Sequence, residues 1–219
     1  MVDGTGERDL ELRLPSKKNQ ITAHYERRID PNRASYDVLD WGTRESQLAR
    51  FRVLLDVLMR SPSPGGVPTV LDVGCGLTDL CSFFEQCRFP VDYTGVDLTP
   101  GILTEARRRH PGRRLVQADV FDGGPFRGGQ FDVTYCSGVF NLQLGNNDEF
   151  ARRGLAALTR YARHRAVANF LHIRTREKYE HCHYFDPSIL AAYAETLGRQ
   201  VDLVEDYLAN DFTIVIHPR

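Results

Sequence analysis

From residue 69 onward, short apolar runs alternate with segments in which apolar residues recur every three or four positions. The runs predict strands at 69–73, 91–97, 114–118, 131–136, 165–171, 200–206 and 212–217. The helical spacing predicts helices at 77–86, 100–109, 148–161 and 187–197. Strands alternating with helices imply a largely parallel sheet covered on both faces. The last two strands, VDLVEDYL and FTIVIH, are separated by only a short polar connection. That connection is too short for a crossover helix, so the pair is expected to be antiparallel.

Ahead of the sheet, TRESQLARFRVLLDVLMR (43–60) reads as an amphipathic helix. Thr43 caps its start, and Leu48, Phe51, Leu54, Leu55 and Leu58 recur at helical spacing. The proline- and glycine-rich SPSPGGVP (61–68) ends it. Residues 1–19 are polar with little periodicity and are expected to form a mobile arm. The rest, 20–219, is expected to be a single domain, with 20–62 as a helical lid and 68–217 as the core sheet.

Composition narrows the function. A formal net charge of -1 gives no basic field of the kind a general nucleic-acid binder carries. The run RRRHPGRR (107–114) is therefore read as a solvated surface. No apolar stretch is long enough to span a membrane, and the first twenty residues lack the apolar core of a signal peptide. The cysteines at 75, 81, 87, 136 and 182 form no C-x-x-C pair. Neither a disulfide framework nor a zinc ribbon is indicated, and reduced thiols in a cytoplasm are expected.

The candidate chemistry begins at VLDVGCGLTDL (70–80), an apolar strand turning through Gly74 and Gly76 toward a helix. Ligands of such sheets bind at the carboxyl ends of the strands, and glycines let the backbone approach them closely. A dinucleotide fingerprint would place a third glycine where this chain has Asp79, a poor neighbour for a pyrophosphate. The next strand, VDYTGVDLTP (91–100), ends at Asp97, whose two oxygens suit a pair of ribose hydroxyls. The third ends in QADVFD (117–122), where Asp119 can accept from an adenine amino group and the Val120 amide can face a ring nitrogen. Either aspartate taken alone could equally be a helix cap or turn residue.

VLDVGCG, YTGVDLTP, QADVFD and FDVTYCSGVFN together resemble the successive motifs of class I S-adenosylmethionine-dependent methyltransferases, over about residues 68–217. The resemblance implies a Rossmann-like α/β fold with a seven-stranded sheet of order 3-2-1-4-5-7-6, strand 7 antiparallel. It implies that Asp72, Gly74, Cys75 and Gly76 hold the methionine part of the cofactor. Asp97 and Leu98 would then serve the ribose, Asp119 and Val120 the adenine, and Ser137 and Gly138 the sulfonium. The flanks DWGTRESQLARFRVLL, SGVFNLQ and HYFDPSILAAY…EDYLANDFTIVI resemble a poorly characterised bacterial branch. In that branch Trp41, Gly42, Gln47 and Arg50 would close over the cofactor.

The reaction expected is transfer of a methyl group to O or N of a small metabolite, with S-adenosyl-L-homocysteine as product. A hydroxyl or ammonium acceptor must lose a proton, and His172, His181 and His183 are the candidate bases. Asn141 and Gln143 could orient a polar acceptor. Tyr25, Tyr36, Tyr184 and Phe140 could wall the pocket, although core packing is the commoner fate of aromatics. No metal is required, and H-x-H at 181–183 has no partner carboxylate fixed by spacing. The segment after the fourth strand lacks the N/D-P-P-Y/F pattern of many amide and base N-methyltransferases. A small-molecule acceptor, with neither nucleic acid nor membrane as partner, is expected. The alternatives are an NAD-dependent oxidoreductase and a non-catalytic, methyltransferase-like partner subunit.

Overall fold

The computed structural model describes residues 16–60 and 66–219. Seven strands form one sheet: β1 (Thr69–Val73), β2 (Asp92–Asp97), β3 (Leu115–Gln117), β4 (Phe131–Cys136), β5 (Ala162–Leu171), β6 (Gly198–Val204) and β7 (Asp211–Pro218). Their order is β3-β2-β1-β4-β5-β7-β6, as the resemblance implied. The first five strands pair in parallel, and β7 runs antiparallel to both β5 and β6. The order reverses between β1 and β4, which opens a crevice beyond their carboxyl ends.

The helices are α1 (Lys17–Glu26), α2 (Ser35–Val38), α3 (Arg44–Arg60), α4 (Asp79–Gln86), α5 (Pro100–Arg109), α6 (Asn147–Tyr161) and α7 (Pro187–Leu197). Alternation along the strands divides the core. Leu71, Ala168, Phe170 and Ile214 pack with Leu155, Leu158 and Leu190 of α6 and α7. Val70, Val133, Val167 and Val215 face Phe51, Leu54, Phe83 and Phe84 of α3 and α4. This is the period-2 pattern of a sheet buried on both faces. A smaller cluster joins the N-terminal segment to the sheet, with Val38 and Leu77 against Ile102 and Ala106 of α5.

Thr43 caps α3 as expected, accepting the Ser46 amide at 3.1 Å. Two expectations need correction. The part of the polar arm that is described is not loose: Ser16 accepts the Asn19 amide at 3.3 Å and starts α1; residues 1–15 lie outside the described residues. Helix α1 has no buried residue, so no apolar stripe announces it. Strand β5 starts at Ala162, directly after α6, because Ala162 pairs with Phe131 and, past a register shift, Arg165 pairs with Val133, carrying the ladder through a polar stretch. The run 107–114 lies at the surface as expected, with Arg107, Arg108 and Arg114 exposed, and its side chains pair with neighbouring groups there. Arg108 and Arg109 hold Glu105, Arg114 holds Asp92, Arg107 reaches the Leu115 carbonyl and Arg113 reaches α4.

Candidate cofactor and acceptor site

Strand β1 delivers the chain into a turn at Gly74 and Gly76, both at positive φ (71° and 53°). Glycine is required here twice over. A Cβ on Gly74 would collide with Val139, and one on Gly76 would come within 2.8 Å of Leu39. The Gly74 and Cys75 amides donate to the Val96 carbonyl, and the Gly76 amide donates to Asp97 Oδ2 at 3.0 Å. Above the turn lies a cavity of about 380 Å³, walled by Gly74, Gly76, Ser137 and Gly138 at the crevice between β1 and β4. Its size falls in the range of small-molecule and cofactor sites.

Asp97 and Leu98, at the end of β2, line this cavity, as do Asp119 and Val120 after β3. Both aspartates also serve local structure. Asp97 Oδ1 accepts the Thr99 amide at 2.8 Å, and Asp119 Oδ1 accepts the Phe121 amide at 3.0 Å, starting a 3₁₀ turn at Val120–Asp122. Turn role and cavity role therefore coexist, because capping uses only part of each carboxylate's acceptor capacity. Burial pushes the Asp97 carboxyl up, against the pull of the amides that donate to it. The second Asp119 oxygen pairs with Lys18 of α1 at 2.9 Å.

The N-terminal segment roofs the cavity. Tyr25, Leu39, Asp40 and Trp41 all line it. Trp41 lies against Gly138, where a Cβ would come within 2.9 Å of its ring. Asp40, at φ 60°, accepts Arg28 at 2.7 Å and pairs with His24 at 3.0 Å. His181 lines the same cavity, with Nε2 at 3.8 Å from Asp40. Asn141 also lines it, and its buried Oδ1 has no partner among the described residues. Burial, with Asp40 and Asp97 nearby, holds the Tyr25 phenol protonated.

Several sequence candidates sit elsewhere. Asp72 shares a face of β1 with Val70 and points into the α3–α4 layer, where the Tyr93 hydroxyl donates to it at 2.7 Å. Burial pushes its carboxyl up to about 7. The Cys75 thiol packs toward Gly95, within the sheet layer, so only its backbone belongs to the turn. Gln47 donates to Asp79 at 2.9 Å, and Ser35 donates to the same oxygen. Asp79 thus ties the lid to α4 instead of facing a ligand. Arg50 stacks 4.5 Å from the Trp41 ring centroid and lies 2.6 Å from the buried Asp211. It supports the roof from behind.

His172 is corrected as a base. It is buried, with Nε2 at 2.9 Å from Glu205 and Nδ1 accepting the Arg174 amide at 3.1 Å. With both nitrogens engaged outside the cavity, it has no route to an acceptor's proton. His183 also falls outside, bonded to Gln143 at 3.0 Å and packed on Phe185. Phe140 is core, stacked between Phe121 and Phe170. Tyr36 and Tyr184 do not reach the cavity; the Tyr184 hydroxyl accepts the Tyr179 amide at 2.9 Å. Sequence reasoning missed Asp40 and Lys18. Only the neighbouring Trp41 could have pointed to Asp40, and nothing in a featureless helix singles out Lys18. Among the described residues no group of three or more His, Cys, Asp or Glu side chains comes together to hold a metal, and no helix is long and apolar enough to cross a membrane.

Residues 70–165 match the model of a methyltransferase domain. A provisionally named methyltransferase of Mycobacterium tuberculosis is 26% identical over 166 residues, 68% of this chain and 92% of the relative. A phthiotriol/phenolphthiotriol dimycocerosates methyltransferase of Mycobacterium leprae is 31% identical over 96 residues, which span 43% of this chain but only 33% of that protein. In fold, the chain is similar to a magnesium protoporphyrin IX methyltransferase from Synechocystis crystallised with S-adenosylhomocysteine, with a TM-score of 0.61 at 13% identity over 92% of this chain and 96% of that one. The domain match, the sheet order and the glycine turn beside the carboxylate-bearing ends of β2 and β3 converge: residues 70–165 are similar to a methyltransferase domain, and together these findings support a class I S-adenosylmethionine-dependent methyltransferase.

Proposed function

We propose that this enzyme methylates an oxygen or nitrogen of a small molecule in the cytoplasm, with His181 as general base. The observation that carries this reading is the roof: α1 and the Asp40–Trp41 segment cover the cavity that His181 and Gly138 share. A covered cavity of about 380 Å³ suits a cofactor and a metabolite better than a folded protein or a duplex. The five cysteines, all unpaired, support a reducing compartment.

The residues fit the cofactor. Gly74 and Gly76 present bare backbone to the cavity, with room for no Cβ beside Val139 and Leu39, and the Asp97 and Asp119 carboxylates sit at successive strand ends. When bound, S-adenosylmethionine supplies an electrophilic methyl on a positively charged sulfur. Asp97 would hold the ribose hydroxyls, while Asp119 and the Val120 amide would hold the adenine edge. Gly138 and Trp41, packed against each other at the cavity wall, would flank the sulfonium and exclude water from it. Much of the rate comes from alignment, which can contribute on the order of 7–11 kcal/mol. The acceptor's O–H or N–H proton moves to His181. Its Nε2 is the nitrogen nearer to Asp40, which leaves Nδ1 for the proton and a carboxylate beside the resulting cation. Asn141 would orient the acceptor. The lid is the part of 20–62 up to Trp41; residues 44–60 pack as α3 against the sheet, and 61–62 lie outside the described residues.

The test uses S-adenosylmethionine labelled in its methyl group, incubated with the enzyme and a bacterial extract separated into small-molecule, protein and nucleic-acid fractions. Label in the small-molecule fraction, lost with His181→Ala, is expected. Label in protein or nucleic acid would overturn the acceptor class.

A further inference from the structure

Thr78 follows the glycine turn and has φ 66°, ψ 31°, with no solvent exposure. A β-branched residue in the left-handed region is a genuine outlier, and such strain persists only where the surroundings impose it. Its amide closes a turn on the Cys75 carbonyl at 2.9 Å, and its own carbonyl accepts the Ser82 amide at 3.3 Å in the first turn of α4. As the residue capping α4 it makes no side-chain cap bond. Instead, its carbonyl accepts Arg113 Nη1 at 2.8 Å, and its hydroxyl accepts from the same nitrogen. The other arm of the guanidinium donates to Ser82 Oγ and Glu85 Oε2, both at 3.0 Å.

Arg113 comes from the approach to β3, far along the chain, and its side chain is only 11% exposed. A cation at the start of a helix opposes the macrodipole, so helix stability does not explain its position. One nitrogen, Nη1, touches both oxygens of the strained residue, while Nη2 fixes the guanidinium to Ser82 and Glu85 of α4, an arrangement that the two-armed arginine head presents and lysine does not. Gly76, two residues earlier, lines the cavity and is bound through its amide to Asp97. Rotation of Thr78 out of the left-handed region would redirect that segment.

We propose that Arg113 is a positioning residue for the cofactor: it holds Thr78 in a conformation glycine would adopt freely, and so sets the Gly74–Leu77 turn. This rests on reading that turn as the cofactor cradle. The test combines Arg113→Ala, Arg113→Lys, Thr78→Gly and the double variant T78G/R113A. Two readouts apply: hydrogen–deuterium exchange over residues 74–80, and calorimetry with S-adenosylhomocysteine. Arg113→Ala is expected to speed exchange in this segment and weaken binding about tenfold, with Arg113→Lys between it and wild type. In the Thr78→Gly background, loss of Arg113 is expected to change affinity by less than about threefold. Should Arg113→Ala fold poorly, the lysine variant and the glycine background carry the same comparison. Equal losses in both backgrounds, or unchanged exchange at 74–80, would overturn the clamp. Faster exchange with no cofactor binding by the wild type would instead overturn the cradle on which the proposal rests.

Discussion

Lys18 of α1 and Asp119 of the β3 loop form an ion pair 2.9 Å long. Helix α1 has no buried residue, and its neighbour Lys17 reaches the carbonyls of Leu144 and Asn146. The cover over this part of the cavity is therefore held largely by polar contacts, which salt screens. The carboxylate that Lys18 holds is also the one proposed for the adenine amino group, so cofactor and lid share an anchor. Lys18→Ala is expected to speed release of S-adenosylhomocysteine several-fold. Raising salt from about 0.05 to about 0.5 M should do the same to the wild type and less to the variant. The single tryptophan, Trp41, lines the cavity and offers a fluorescence signal for stopped-flow measurement.

Arg50 and Asp211 are both buried, and two Arg50 nitrogens find no acceptor among the described residues. Removing one partner leaves an uncompensated buried charge. Asp211→Asn should cost about 3–5 kcal/mol in urea unfolding and shift the emission of Trp41, which Arg50 supports. Replacing both residues with apolar ones of similar volume should recover most of that loss.

Asp72 gives a pH dependence. Its carboxyl, ordinarily near 3.8, is pushed up to about 7 by burial. Below about pH 4 it is protonated whether folded or unfolded. As the pH rises toward 7 the unfolded chain releases the proton and the folded one keeps it, so this contribution to stability is lost across that window. Asp72→Asn keeps an acceptor for Tyr93 and removes the titration. It should gain about 1–3 kcal/mol relative to wild type at pH 8 compared with pH 4, read from urea melts. Affinity for S-adenosylhomocysteine should stay unchanged, since the side chain faces away from the cavity.

The histidines separate by role. His172→Ala should lose about 1–2 kcal/mol of stability with its Glu205 and Arg174 bonds, and retain methyl transfer. His181→Ala should keep cofactor affinity and slow transfer about 100-fold or more. Transfer that survives His181→Ala but not His172→Ala would reverse the assignment.

The sheet and most helices were legible because their apolar positions repeat with periods that burial enforces. The order of strands came through the motif resemblance, and the closing antiparallel pair through the short link before Phe212. The backbone part of the site, Gly74, Gly76 and Gly138, was legible because close approach leaves only glycine. Side chains were harder. Asp72 and Asp97 look alike in sequence, yet the pleat turns one into a helical layer and leaves the other at a strand end. His172 lies next to the active edge in sequence, but Glu205, brought in by β6, captures it. Lys18, Asp40 and Arg113 act through contacts between distant segments, which no local pattern records.

The most direct test is calorimetry of S-adenosylhomocysteine with wild type, Asp97→Ala and Asp119→Ala. The account predicts micromolar binding by the wild type and a loss of about 1.5–3 kcal/mol with Asp97→Ala, the scale for bonds to a charged group. Asp119→Ala should lose at least as much affinity as Lys18→Ala, because the adenine contact and the Lys18 anchor of the lid go together. Unchanged affinity in both variants would contradict the placement of the cofactor along the ends of β2 and β3.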